Sequence, residues 1–286
     1  MRAKFRIAKN YIEVLKPKES SLLTFIGVCA AIIAGNGQPP LNLLLLAGVT
    51  ILLASAGANG LTNYLDRNVD ARMRRTRHRV LPSKRIYPPE KVLPLTIGLV
   101  VVGLALAWQL HPLAFFADLI GTTVAVTWRN RVTCVFPQGA IASCTPVLMG
   151  WFAIEPAFGR EILLLCLLIV VWLPLHVWSV MISNRDDYLG AGLDFFPMNI
   201  EVKKAVIVLL LFSLVLYMTS FTLYFAGGFG WLYLVLANLL GIMMLYASSR
   251  LVISSASQDA WRLYKLSSFP YLGLIFVTMC LDIWLL

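Results

Sequence analysis

The sequence predicts an all-α polytopic membrane protein, with nine transmembrane helices around a central cavity. Three observations predict it. Hydrophobic residues make up 59% of the chain and charged residues only 13%, about half the charged share of an ordinary soluble domain. Mean hydropathy is +0.79, and apolar runs recur along the whole chain, many near the ~20 residues needed to span a bilayer. The basic residues, finally, fall in alternate connections between those runs.

The elements follow in order. A basic stretch from Arg2 to Lys18 leads into the first apolar run, 20–34. The second, 41–65, ends in an acidic and then a basic block. Runs at 92–109 and 112–127 come next, and a connection holding Arg129 and Arg131 precedes the fifth, 138–153. The sixth, 161–182, carries Pro174 and His176 inside it. Proline within a span frees a backbone carbonyl and kinks the helix. The last three are 204–226, 230–250 and 268–286.

The Lys and Arg residues test this count. With nine crossings, the N-terminus and every second connection lie on one side, and that side holds 23 of the 24 Lys and Arg; Arg160 alone falls opposite. Such asymmetry puts the N-terminus in the cytoplasm and the C-terminus outside, in a multi-pass protein of the cell membrane. The net charge of +10 is then topology and not a nucleic-acid footprint. The first apolar run leads on into further spans and is not a cleaved signal. Cys29, Cys134, Cys144, Cys166 and Cys280 show neither C-x-x-C spacing nor a disulfide framework, and are expected as buried small apolar residues. Residues 1–286 read as a single membrane domain.

Chemistry concentrates at the end of the second run. Asp66 and Asp70 are one helical turn apart and face the same way. Two such carboxylates repel unless a cation lies between them, and Mg²⁺ takes one or two carboxylates together with substrate phosphates. Arg72, Arg74, Arg75, Arg77, Arg79, Lys84 and Arg85 follow. Arginine suits phosphate, although cytoplasmic loops are basic in any membrane protein. The loop after the sixth run supplies a second acidic group, Asp186 and Asp187, on the same predicted side, with Asp194 beyond. Two acidic clusters beside a basic loop suit a diphosphate. His176 and Asp118 are the ionisable groups expected near mid-membrane, and such groups are functional candidates by default.

These residues resemble the UbiA superfamily of intramembrane prenyltransferases, most closely the branch that farnesylates protohaem IX. Thr62-Asn63-Tyr64-Leu65-Asp66-Arg67-Asn68-Val69-Asp70 is similar to the family's N-D-x-x-D-x-x-x-D. Arg75-Thr76-Arg77-His78-Arg79-Val80-Leu81-Pro82 is similar to its T-x-x-R-P-L segment. Leu15-Lys16-Pro17-Lys18 resembles the L-x-K-P-R that opens helix one. Pro174-Leu175-His176-Val177-Trp178, then Asp186-Asp187-Tyr188, Ala191-Gly192 and Pro197-Met198, resemble P-H-F-W and D-D-Y-x-x-A-G-x-P-M. The P-H-x-W element points to the haem branch. Arg262-Leu263-Tyr264 and Ser268 to Leu272 echo it near the C-terminus. The chain departs from the pattern at Thr62, where the family has Asn, and at Val80, where it has Pro. The 128–146 linker is similar only in outline, and Asp194 and Phe195 lengthen the segment before Pro197.

The resemblance implies a UbiA-type fold and an Mg²⁺-dependent farnesyl transfer from farnesyl diphosphate to the 2-vinyl group of protohaem IX, giving haem O. Asn63, Asp66, Asp70, Asp186 and Asp187 would hold the metal. Lys18, Arg77, Arg79 and Lys84 would contact the diphosphate, and His176 would meet the haem or polarise water. A quinone precursor or other aromatic compound is the alternative acceptor, which the P-H-x-W element argues against. A transporter or non-catalytic haem chaperone is the alternative of another class. Transport predicts ionisable groups at mid-membrane in several helices, and only Asp118 and His176 are expected there.

Overall fold

A computed structural model of the chain describes residues 2–128, 132 and 135–285, leaving Arg129, Arg131 and Cys134 of the sequence reading outside the described residues. Twelve α-helices follow one another: α1 (Arg2–Val14), α2 (Pro17–Ala34), α3 (Leu41–Asp70), α4 (Leu93–Leu110), α5 (Pro112–Thr127), α6 (Gln138–Phe152), α7 (Arg160–Ser183), α8 (Arg185–Gly190), α9 (Val202–Ala226), α10 (Trp231–Ser254), α11 (Ser257–Leu266) and α12 (Leu274–Leu285). A short 3₁₀ turn, Pro89–Val92, leads into α4, and a wider π-type segment, Ser267–Gly273, joins α11 to α12.

Each predicted apolar run is helical, but the helices are of unequal reach. Among the described residues, seven apolar helical stretches are long enough to cross a bilayer, and α5 is a shorter apolar helix. Helix α6, at 15 residues, is about 22 Å long, short of the ~30 Å hydrocarbon core. The all-α membrane architecture therefore stands, and by length and composition seven of the nine expected spans are long enough to cross. Pro174 sits inside an unbroken α7.

The chain divides into two compact units. The first comprises residues 1–28 and 40–156. In lipid the hydrophobic effect does not draw helices together, so close packing must do it. A Cβ on Gly150 would collide with the Gly27 carbonyl oxygen, and one on Gly27 with the Pro146 carbonyl; α2 and α6 thus meet backbone to backbone. Ile51, Ala54, Ala107 and Met149 are buried together beside them. At the polar end of the unit, Val14, Val80, Leu81, Ile86 and Val92 form a second apolar cluster under the 71–92 loop. Arg85 clamps that loop to α1 through both oxygens of Glu13, at 2.6 and 2.8 Å. The guanidinium holds the Glu13 carboxyl below its ordinary range.

The second unit comprises residues 29–39 and 157–286. Its buried polar groups close on one another. Ser213 and Ser248 hydroxyls are 2.5 Å apart, Ser220 bonds the Tyr271 hydroxyl at 2.7 Å, and Tyr233 donates to the Ser220 carbonyl at 2.8 Å. The buried Asp282 carboxylate accepts from the backbone amides of Gly230 and Tyr233. It thereby caps the N-terminus of α10, where unpaired amides and the helix dipole favour a negative charge. Cys29 and Cys280 are buried here, Cys144 is buried in the first unit, and none of the described cysteines is in a disulfide.

Candidate functional site

Helix α3 carries the acidic motif because of its length. Its 30 residues extend about 45 Å, well beyond the hydrocarbon core, so its last turns reach polar surroundings. The helix continues through Asp70, which keeps Asp66 and Asp70 one turn apart on one side. Asp66 is half-buried and Asp70 buried. Asp70 Oδ2 lies 3.0 Å from Arg79 Nη1, and the Asp70 carbonyl accepts from Thr76 Oγ1 at 2.9 Å. These bonds fold the loop back onto the helix that it leaves.

Asn63 Nδ2 donates to the Val14 carbonyl at 2.6 Å, satisfying an end carbonyl of α1 and leaving Oδ1 as its ligating atom. Beside it opens a cavity of about 410 Å³ lined by Lys16, Lys18, Asn63, His78 and Arg79, among others. That volume is within the range of small-ligand pockets. Three predicted residues, Lys18, Asn63 and Arg79, thus converge. Asp66, Asp70, Arg77 and Lys84 do not line this cavity; Asp70 reaches it through Arg79, and Arg77 and Lys84 are exposed in the loop. Lys16 and His78 join the cavity without having been singled out in the sequence. The signal for Lys16 was its place next to Pro17, where the chain turns between α1 and α2 with a positive φ of 49°.

Thr62 faces elsewhere. Its hydroxyl donates to the Asn59 carbonyl one turn back, at 3.0 Å, and its side chain lines a second, inner cavity with Asp118. It is not a ligand beside Asn63.

In the second unit, Asp186 and Asp187 occupy the first turn of α8, the former exposed and the latter half-buried. Arg185 beside them donates to the carbonyls of Pro197, Met198 and Ile200 at 2.8–3.0 Å, which braces the 191–201 segment. His176 on α7 stacks on Trp172, with ring centroids 4.9 Å apart, and meets the Tyr264 ring at 4.6 Å. Its Nδ1 lies 3.1 Å from Ser267 Oγ and 3.5 Å from Ser268 Oγ. Both hydroxyl protons go to the Tyr264 carbonyl, at 2.9 and 3.0 Å. A hydroxyl has one proton; with both of them on the Tyr264 carbonyl, the serine oxygens are left to accept from Nδ1–H. The π-type segment that supplies these serines is of a kind often found at functional sites.

The donor set near the α3 terminus consists of hard oxygens: two carboxylates and an amide. It suits a divalent cation completed by phosphate oxygens. Among the described residues, no three His, Cys, Asp or Glu side chains converge into a preformed metal centre.

Comparison with known proteins bears on the family and the fold. The model of the UbiA prenyltransferase family matches residues 21–269. A protoheme IX farnesyltransferase of Desulforudis audaxviator is 35% identical, over 97% of this chain and 89% of its own length. One from Thermofilum pendens is 31% identical, over 96% and 98%. Among solved structures, a digeranylgeranylglyceryl phosphate synthase superposes with a TM-score of 0.80 at 18% identity, covering 98% of this chain and 99% of that one. A UbiA homologue from Archaeoglobus fulgidus bound to DMAPP and Mg²⁺ superposes with a TM-score of 0.70 at 15% identity, covering 97% and 100%. At these identities the two structures speak for the fold.

Proposed function

The chain belongs to the UbiA prenyltransferase family, and from that premise we propose that it moves a farnesyl group from farnesyl diphosphate to the 2-vinyl group of protohaem IX, giving haem O. The observation that carries this reading is the near full-length likeness to protoheme IX farnesyltransferases of distant organisms. The cavity at the end of α3 supports it with cationic side chains beside hard oxygen donors.

Asn63, Asp66 and Asp70 would hold one Mg²⁺, and Asp186 and Asp187 would serve a second. When bound, the metal neutralises charge on the diphosphate and so assists its departure. Lys18 and Arg79 meet the phosphate oxygens in the 410 Å³ cavity, and Arg77 and Lys84 approach from the loop. Arg79 does so with a planar fork suited to two phosphate oxygens. Loss of diphosphate leaves an allylic cation at farnesyl C1, which the vinyl π electrons attack. His176, held by Ser267 and Ser268, meets the porphyrin through its Nε2 edge.

The bilayer setting has a physical reason. Burying the farnesyl tail stabilises by about 0.8 kcal/mol per CH₂, and a dry chamber keeps water from quenching the cation early. Nine crossings, with the N-terminus in the cytoplasm of a cell-membrane protein, fit the one-sided Lys and Arg distribution, α5 and α6 making the short crossings. The whole chain then acts as one catalytic domain.

The test is to incubate purified protein with Mg²⁺, farnesyl diphosphate and haem and to read the product by mass. Haem O is expected. Product from an aromatic acid and none from haem would move the assignment to a quinone-type acceptor.

A further inference from the structure

Asp118 lies on α5 inside the first unit, 1% exposed. Its Oδ1 accepts from Thr122 Oγ1 at 3.1 Å. Its Oδ2 is buried and finds no hydrogen-bond partner among the described residues. An orphaned carboxylate oxygen is costly in a dry interior and calls for an occupant beside it.

The surroundings say what that occupant is. Asp118 lines a cavity of about 80 Å³ together with Asn59, Thr62, Thr122, Ser143 and Thr145. Thr62 donates its hydroxyl proton to the Asn59 carbonyl, Thr122 to Asp118, and Thr145 to the Ala117 carbonyl at 3.5 Å. These three hydroxyls can therefore offer an occupant only lone pairs, as does Asp118 Oδ2. Beside these acceptors stand Ser143 and the Asn59 amide, which can donate, and an occupant that both donates and accepts fits the set. The volume suits a few water molecules and is far too small for a porphyrin or a prenyl chain. The site also depends on Gly121: a Cβ there would overlap Thr145 Oγ1, so glycine is what lets α6 bring Thr145 to this wall. Finally, Thr62 immediately precedes Asn63 on α3, so the cavity adjoins the acidic motif along one helix.

Resting on the reading of the chain as a haem farnesyltransferase, we propose that this cavity holds the water that completes the reaction and that Asp118 accepts its proton. The balance is as follows. The vinyl π pair forms the carbon–carbon bond to farnesyl C1 while diphosphate leaves with the C–O pair. The vinyl carbon next to the porphyrin is left cationic. A water oxygen bonds to that carbon, and its proton passes to the Asp118 carboxylate. Without this step the cation sheds a carbon-bound proton instead, giving an alkene adduct lighter than haem O by one water.

Asp118→Asn keeps the shape and removes the base. With Mg²⁺, farnesyl diphosphate and haem, it should form haem O about 10²-fold more slowly, at the lower end of what general bases contribute, while diphosphate release falls far less and the dehydrated adduct accumulates. Haem O at the wild-type rate, with no dehydrated adduct, overturns the proposal. Should Asp118→Asn fail to insert, Thr122→Val, which frees the carboxylate from its fixed orientation, is read in the same way: a rise in dehydrated adduct supports the proposal, and unchanged products overturn it. If the wild type makes no haem adduct at all, it is the acceptor assignment that fails.

Discussion

Each unit buries a carboxylate in an apolar helix, and the two are treated in opposite ways. In residues 157–286 Asp282 and the hydroxyls near it are closed. Asp282 gives an oxygen to each of two backbone amides, and Ser213, Ser220, Ser248, Tyr233 and Tyr271 are paired among themselves or with backbone. In the first unit the buried carboxylate is open. Asp118 keeps an unpartnered oxygen on a cavity, and Lys18, Asn63 and Arg79 surround another. Both Asp118 and Asp282 are buried carboxylates within apolar helices, so burial and charge do not separate them. The destination of each oxygen's hydrogen bond does. A satisfied carboxylate builds a fold, and an unsatisfied one awaits a ligand.

Mutation can break this contrast, most forcefully at the open end. Asp66→Ala and Asp70→Ala should each lower turnover by ~10³-fold or more, as for the loss of a main electrostatic contact at developing charge, while the protein still inserts; full activity in either would remove the metal role. Asp282→Ala should do the reverse. It strands two amides at about 1–3 kcal/mol each, so the melting temperature in detergent should drop clearly while activity per folded molecule holds. A catalytic defect in stable Asp282→Ala protein would erase the distinction between the units.

The smallest effect is expected at Glu13. Its folded-state carboxyl titrates below the ordinary 4.5, chiefly through its bond to Arg85 and partly offset by burial. A depressed carboxylate stabilises above the unfolded pKa, and that contribution fades as pH falls through the folded value. Both side chains are more than a third exposed, so solvent screening limits the pair to about 0.5 kcal/mol. Glu13→Gln should therefore shift melting slightly at pH 7, and not at all at a pH well below 4.5.

How much of this was legible in the sequence follows from range. Apolar runs are local, and all nine appear as helices. The apolar run stops at residue 65, whereas α3 continues through Asp70, because the helix outruns the bilayer. Helices α1, α8 and α11 are short or amphipathic and carry no apolar run. The four-residue spacing of Asp66 and Asp70 announced itself, since one turn of helix suffices to read it. The cap on α10 did not, because Asp282 lies 49 and 52 residues from its partners. For the same reason Ser267, 91 residues from His176, gave no signal, and Ser268 stood out only as part of a C-terminal motif and not as a partner of that ring. The sequence shows Thr62 only as a departure from the motif; the helix turn shows its hydroxyl committed to Asn59.

Under the proposed roles of Asp70 and Arg79, their ion pair makes loading an exchange and not a simple addition. A cation arriving alone must take Asp70 from a guanidinium and leave that guanidinium stranded. A cation arriving with diphosphate hands Arg79 a new anion at the same moment. Metal and diphosphate should therefore strengthen each other's binding by an equal factor, and the loaded mouth keeps nearly the charge balance of the unloaded one.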